Sequence, residues 1–209
     1  MGVGGVSGGR AVFLDRDGVL NRNVFNPVTC TYESPHRAED FELLPGVLKG
    51  LALLQETGYR LILVSNQPSY AKGKISLAAI QAVHRRLADT LGGAGISFDA
   101  FYYCLHHPDG IIPEYSGRCE CRKPSPYFLL QAKARFDLDL ANSWMIGDRE
   151  TDIMCGRAAG VRTIRVAADH PVPGQPTAAD RTARDLADAA SSLGAADRLA
   201  GVPPRRPVV

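Results

Sequence analysis

The stretch AVFLDRDGVLN, Ala11–Asn21, decides how the rest of the chain is read. Four apolar residues with no polar alternation predict a short strand buried on both faces. Two aspartates follow at once, Asp15 and Asp17, and Gly18 then lets the chain turn away sharply. In open α/β sheets, ligands bind beyond the carboxyl ends of the strands. Two carboxylates this close repel one another unless a cation lies between them, and oxygen-only ligation of that kind favours Mg²⁺. D-x-D by itself is also an ordinary polar corner between strand and loop. What stands at the ends of the other strands therefore decides between the two.

Similar apolar runs recur at RLILVS (Arg60–Ser65), AFYYC (Ala100–Cys104), SWMIG (Ser143–Gly147) and RTIRV (Arg162–Val166). Helical patterns separate them. Val47, Leu48, Leu51 and Leu54 share one face after Pro45, and Gly58 ends that helix. Ser76 can cap a second helix with Leu77, Ile80, Val83 and Leu87 inward. Ser125-Pro126 opens a third, packed through Phe128, Leu129 and Ala132. A fourth runs from about Thr151 to Ala159, with Gly160 as its stop. This alternation predicts an α/β fold, a Rossmann-like parallel sheet flanked by helices with right-handed crossovers.

The strand ends carry the chemistry. SNQ (Ser65–Gln67) offers a hydroxyl and two amides, and GDRETD (Gly147–Asp152) offers Asp148 and Asp152. In CRKPSP, Arg122 and Lys123 stand just before a helix N-terminus, where backbone N–H groups already favour anions. Taken singly these are turn residues, solvated cations and helix caps. In sequence, each tied to a predicted strand or helix start, they describe a phosphate site.

Three of the five cysteines lie in one loop, Cys104–Cys121, beside two histidines. The pattern is C-x-H, twelve residues, then C-x-C. Three thiolates and an imidazole suit tetrahedral Zn²⁺, and four protein ligands leave no open position, so the site is structural. Spacing admits either His106 or His107, and the symmetry of C-x-H with C-x-C favours His106. The loop ends at Arg122-Lys123, so ordering it positions that pair. Cys30 and Cys155 stand apart and receive no role.

DRDGVLN, SNQ, RKPSP and GDRETD together resemble the four motifs of the haloacid dehalogenase-like phosphohydrolases, over Ala11 to Val166. The zinc loop followed by CRKP is similar to the subfamily holding heptose-bisphosphate and histidinol-phosphate phosphatases, whose pattern also matches His106. The resemblance implies a phosphomonoester substrate with Asp15 as nucleophile and Asp17 as general acid, then base. It implies Mg²⁺ on Asp15, the Asp17 carbonyl and Asp148, with Asp152 orienting metal-bound water. Ser65 and Lys123 would hold phosphoryl oxygens. Arg16, Asn66, Gln67, Arg122 and Arg149 would contact substrate, Arg122 matching a position that grips the phosphate not cleaved.

The activity so implied is removal of the C7 phosphate of a heptose 1,7-bisphosphate in heptose nucleotide precursor synthesis. Histidinol phosphate or another small phosphoester is the alternative substrate. A zinc-stabilised binding module is the non-enzymatic alternative, and Asp15, Asp17 and Asp148 speak against it. The chain departs from the family pattern in PSYAKG after NQ and in a longer stretch after Asp17. There is no room for a large cap, so loops choose the substrate. Tyr32, His36, Arg37, Lys72 and Lys74 are candidates to read a sugar or a second phosphate.

The chain has 209 residues, enough for one domain with a real core. Expected boundaries are a flexible leader at 1–10, a phosphatase domain at 11–170, and an Ala/Pro-rich extension at 171–209. The extension should hold one helix from about Ala179 to Leu199 and then a loose tail. With 24 basic and 22 acidic residues the net charge is +2, too little to pull the chain onto nucleic acid. No apolar run approaches the roughly 18 residues that span a bilayer. The start has no apolar signal core, which predicts a reducing, cytoplasmic setting and thiols used as metal ligands. A monomer acting on a small phosphorylated sugar is the expectation.

Overall fold

A computed structural model describes residues 8–167 and 176–199. Six parallel strands form one sheet. They are β1 (Ala11–Leu14), β4 (Arg60–Asn66), β5 (Ala100–Cys104), β6 (Trp144–Gly147), β7 (Arg162–Val166) and β8 (Arg181–Ala183), in the order β5-β4-β1-β6-β7-β8. β2 (Val24–Asn26) and β3 (Thr31–Glu33) form a separate antiparallel hairpin. The helices are α1 (Val47–Glu56), α2 (Leu77–Gly93), α3 (Tyr127–Phe136), α4 (Glu150–Ala159) and α5 (Leu186–Leu199).

The lack of alternation in β1 has a simple cause. Val12 and Leu14 pack on the face covered by α1, α2 and α5, through Leu51, Leu54, Leu87 and Leu193. Ala11 and Phe13 pack on the other face with Leu129 and Ala132 of α3 and Cys155 of α4. From β1 the chain builds outward to β4 and β5, then returns to β6 on the other side of β1. That reversal opens a crevice at the carboxyl end of β1, the place where such sheets bind ligands. Asp15 follows β1, Ser65 ends β4 and Asp148 follows β6.

Several expectations are corrected. Leu48 is 39% exposed, and Val47 and Gly50 take the inner face of α1 with Leu51 and Leu54. Gly9 and Arg10, expected in the leader, are tied to the domain. Gly9 exchanges backbone bonds with Asp137 and Asp139, and Arg10 donates to the Thr57 carbonyl and lies 4.4 Å over the Tyr59 ring. The C-terminal helix starts at Leu186, not near Ala179, because residues 181–183 add an edge strand to the sheet. Asp180 anchors that strand by accepting from both the backbone and the hydroxyl of Thr163. Leu186, Ala189, Ala190 and Leu193 belong to the main core, so this part of the extension is integral to the domain. The expected leader over 1–7 and the tail beyond Leu199 lie outside the described residues.

Trp144, the single tryptophan, is 2% exposed. The guanidinium groups of Arg162 and Arg181 lie 4.3 and 5.0 Å from its ring centroid. Among the described residues no helix is long and apolar enough to cross a membrane.

Candidate active site

Gly18 sits at φ +84°, and a Cβ there would collide with the Asp148 carboxylate. Only glycine lets the turn after β1 nestle against the loop after β6. The close approach gathers carboxylates. Single oxygens of Asp15, Asp148 and Asp152 lie within 4.8 Å of one another, and all three residues are buried. The Lys123 ammonium, also buried, stands 2.8 Å from Asp15 Oδ1 and 2.6 Å from Asp152 Oδ1, and donates to the Val64 carbonyl. Burial alone would lower the lysine pKa, but the charges of Asp15 and Asp152 outweigh it and raise it.

Asp148 is in the opposite position. Burial and the neighbouring charges of Asp15 and Asp152 push its pKa up to about 8. Its Oδ1 is buried, and among the described residues no hydrogen-bond donor reaches it. A buried oxygen so placed suits a bound cation. The donor set of buried carboxylate oxygens fits Mg²⁺. Asp152 has less to offer a metal, since one oxygen faces Lys123 and the other accepts from the backbone of Arg149 at 3.0 Å.

Asp17 is held by four donors. Arg16 Nε and Nη2 reach its Oδ1 at 3.2 and 3.1 Å, Asn21 Nδ2 reaches the same oxygen at 3.0 Å, and Gln67 Nε2 reaches Oδ2 at 2.5 Å. Arg16 also donates to Gln67 Oε1 at 2.9 Å, beside the Tyr103 ring. Arg16 and Gln67, expected as substrate contacts, are each 1% exposed. Their polar groups engage Asp17, Ser65 and one another. Ser65 Oγ accepts from Gln67 at 3.0 Å, and among the described residues no acceptor takes the serine's own proton. Asn66 lines the cavity, but its side chain clasps the backbone N–H and carbonyl of Lys123, both at 3.1 Å. It positions the lysine.

Above these groups opens a cavity of about 740 Å³. Arg122 and Arg149 line it, together with Lys72 and Lys74. Lys74 is neutralised, its ammonium 2.5 Å from Glu33 Oε1. Tyr32 lines the cavity as well. His36 is turned to Ser69 Oγ at 3.1 Å, and Arg37 pairs with Glu39 and Asp40 away from the cavity. Thr29, Thr31 and Glu33 of the hairpin do line it, and sequence reasoning missed them. The signal was present in the T-Y-E alternation after Asn26-Pro27, a turn followed by a period-two pattern.

Cys104, His106, Cys119 and Cys121 converge at the zinc loop. The separations are 3.6 Å for Cys104–Cys119, 3.6 Å for Cys119–Cys121, 3.6 Å for Cys121 to His106 Nδ1 and 4.0 Å for Cys104 to His106 Nδ1. A tetrahedron with Zn–S bonds of about 2.3 Å has edges of roughly 3.8 Å, so the cluster fits zinc. All five thiols are free of disulfides. Burial pushes the Cys104 and Cys121 thiols up. It opposes ionisation of Cys119 as well, but hydrogen bonds from its two neighbours hold that thiol below its usual value. His107 is turned aside, its Nδ1 accepting from the backbone of Asp109 at 3.0 Å.

Comparison with known proteins agrees with this geometry. A HAD-hydrolase-like family model matches residues 120–193. The chain is 39% identical over 166 residues to the D-glycero-beta-D-manno-heptose-1,7-bisphosphate 7-phosphatase of Vibrio cholerae, covering 79% of this chain and 85% of that one. It is 36% identical over 163 residues to the alpha-named 7-phosphatase of Photorhabdus laumondii, covering 78% and 85%. The crystal structure of D,D-heptose 1,7-bisphosphate phosphatase from B. bronchiseptica, complexed with magnesium and phosphate, superposes with a TM-score of 0.71 at 28% identity, covering 88% and 97%. With a family model matched and relatives 39% and 36% identical over 85% of their length, the chain belongs to the haloacid dehalogenase-like phosphatases.

Proposed function

We propose that this phosphatase removes the C7 phosphate of D-glycero-D-manno-heptose 1,7-bisphosphate. The observation that carries the reading is Arg122. It lines the cavity next to the buried Lys123, and its Nη1 donates to the His106 carbonyl at 3.2 Å. A second cation fixed beside the reacting centre suits a substrate with two phosphates. The names of the relatives point to the same substrate.

In this reading Asp15 attacks phosphorus and becomes an aspartyl-phosphate. Asp17, oriented by Arg16, Asn21 and Gln67, protonates the leaving oxygen and then takes a proton from the attacking water. Lys123 and the Ser65 hydroxyl hold phosphoryl oxygens, where charge gathers in the transition state. Asp15, the Asp17 carbonyl and Asp148 would hold Mg²⁺, which when bound offsets the repulsion between carboxylate and phosphate. Arg149, largely exposed at the cavity wall, meets the sugar side. A reducing cytoplasm suits a site whose ordering depends on three close thiols.

The test is hydrolysis of both anomers of heptose 1,7-bisphosphate, of histidinol phosphate and of p-nitrophenyl phosphate, with Mg²⁺ present. The reading expects the highest kcat/KM for a heptose bisphosphate. A higher value for histidinol phosphate overturns it.

A further inference from the structure

The hairpin β2–β3 is built with its polar side against the cavity. Phe25 and Tyr32 are cross-strand partners, their rings edge to face at 5.3 Å, 50% and 45% exposed. Side chains alternate along a strand, so Thr31 and Glu33 point to the opposite face. That face borders the cavity, with Thr29 from the turn beside it. A hairpin that packed only for stability would turn its aromatics inward. Here Phe25 stands outside and the half-exposed Tyr32 borders the cavity, and beside it a row of hydroxyls and one carboxylate faces the ligand space.

Both hydroxyl protons in this row have acceptors inside it. Glu33 Oε1 accepts from the Thr29 hydroxyl at 2.8 Å and lies 3.3 Å from the Thr31 hydroxyl, and the two hydroxyls are 2.8 Å apart. Whichever hydroxyl donates across that contact, both protons are consumed within the cluster, because a carboxylate is acceptor-only. Burial opposes the charge on Glu33, but hydrogen bonds from Lys74 and Thr29 and the Lys74 charge hold its pKa down at about 2. The carboxylate therefore stays ionised at working pH and keeps drawing the protons inward. Both threonines are exposed and present their remaining lone pairs outward. Such a wall accepts hydrogen bonds from hydroxyl groups.

We propose that Thr29 and Thr31 read the hydroxyl-bearing middle of the substrate, with Glu33 as the positioning residue that turns them into acceptors. The inference deepens the reading of the same cavity and rests on it for the substrate's name, though not for its hydroxyls. The wall selects a polyol between two phosphate-binding ends, where Arg122 and Lys123 supply the cations.

The test uses two substrate pairs that differ in hydroxyls. One is heptose 1,7-bisphosphate against 1,7-heptanediol bisphosphate, and the other is glucitol 6-phosphate against hexyl phosphate. Wild-type enzyme should prefer the hydroxylated member of each pair. Thr31→Val should shrink that preference about tenfold, the size of one neutral hydrogen bond or somewhat more. Thr31→Ser should restore it, and Glu33→Gln should shrink it through KM more than kcat. Absence of the preference in wild type, its survival in Thr31→Val, or equal losses on both members of a pair would overturn the wall. If glucitol 6-phosphate is cleaved better than the heptose bisphosphate while the hydroxyl preference and its loss hold, the substrate reading falls and the wall stands.

Discussion

The guanidinium of Arg122 donates to the backbone carbonyl of His106, 3.2 Å away. A cavity cation is thus aimed by the main chain of a residue in the thiol–imidazole cluster. Loss of zinc should disturb Arg122 before it disturbs Lys123, whose backbone is clasped independently by Asn66. Protein purified without added metal should carry one zinc per chain, released by acid as the thiolates protonate. Cys119→Ser/Cys121→Ser should raise KM for a bisphosphate more than for p-nitrophenyl phosphate. Elemental analysis and steady-state kinetics check both statements, and a zinc-free active enzyme with unaltered selectivity contradicts them.

Arg122→Ala should cost about 2–3 kcal/mol in kcat/KM on a bisphosphate, the size of a charged hydrogen bond, and much less on p-nitrophenyl phosphate. Equal losses on both would assign Arg122 to the reacting phosphoryl group.

Asp15→Asn should abolish turnover and leave the circular dichroism spectrum intact. The amide keeps the shape of the carboxylate but is a poor nucleophile. Near-wild-type hydrolysis by a folded variant is the contrary result.

Gln67→Leu tests a different link. Gln67 touches Asp17 Oδ2 and Ser65 Oγ, and it does not line the cavity. Losing a hydrogen bond to a charged group costs roughly 1.5–3 kcal/mol, so kcat should fall about ten- to a hundredfold. The same factor should appear on bisphosphate and p-nitrophenyl phosphate, with KM little changed. A loss confined to the bisphosphate would return Gln67 to the substrate contacts.

Asp148 makes magnesium and pH antagonists. Its folded pKa, about 8, lies above the ordinary value of 3.8, so the metal-free native state holds more protons than the unfolded one between these limits. Stability without magnesium should therefore fall as pH rises toward 8, and added Mg²⁺ should flatten that slope. Thermal denaturation from about pH 6.5 upward, where the thiolate cluster keeps its metal, measures it. A metal-free protein that gains stability over that range would contradict the assignment.

Five of the six strands were legible because each is a compact, mostly apolar run, and β1 shows the cause, with Val12 and Phe13 packing to opposite sides of it. β8 was not, because Arg181, Thr182 and Ala183 carry no apolar run, and the strand is held by pairing with β7 and by Asp180 on Thr163. The carboxylates of the site were legible from their place directly after strands. The split between residues that face the cavity and residues that brace it was not. Arg16 and Arg149 are the same residue type beside an aspartate, and only packing decides that one is buried under Asp17 while the other lines the open space. Glu33 was hidden for a similar reason, since its meaning lies in Thr29, Thr31 and Lys74 around it.

Trp144 gives the protein a built-in optical label. It is the chain's lone indole, buried against two guanidinium groups, one from β7 and one from β8. Its emission reports the solvation of this edge of the sheet and is remote in the fold from the hairpin that walls the cavity. Intrinsic fluorescence thus follows separation of the last strand from the sheet, while ligand-driven movement of residues 24–33 has to be watched with a probe placed there.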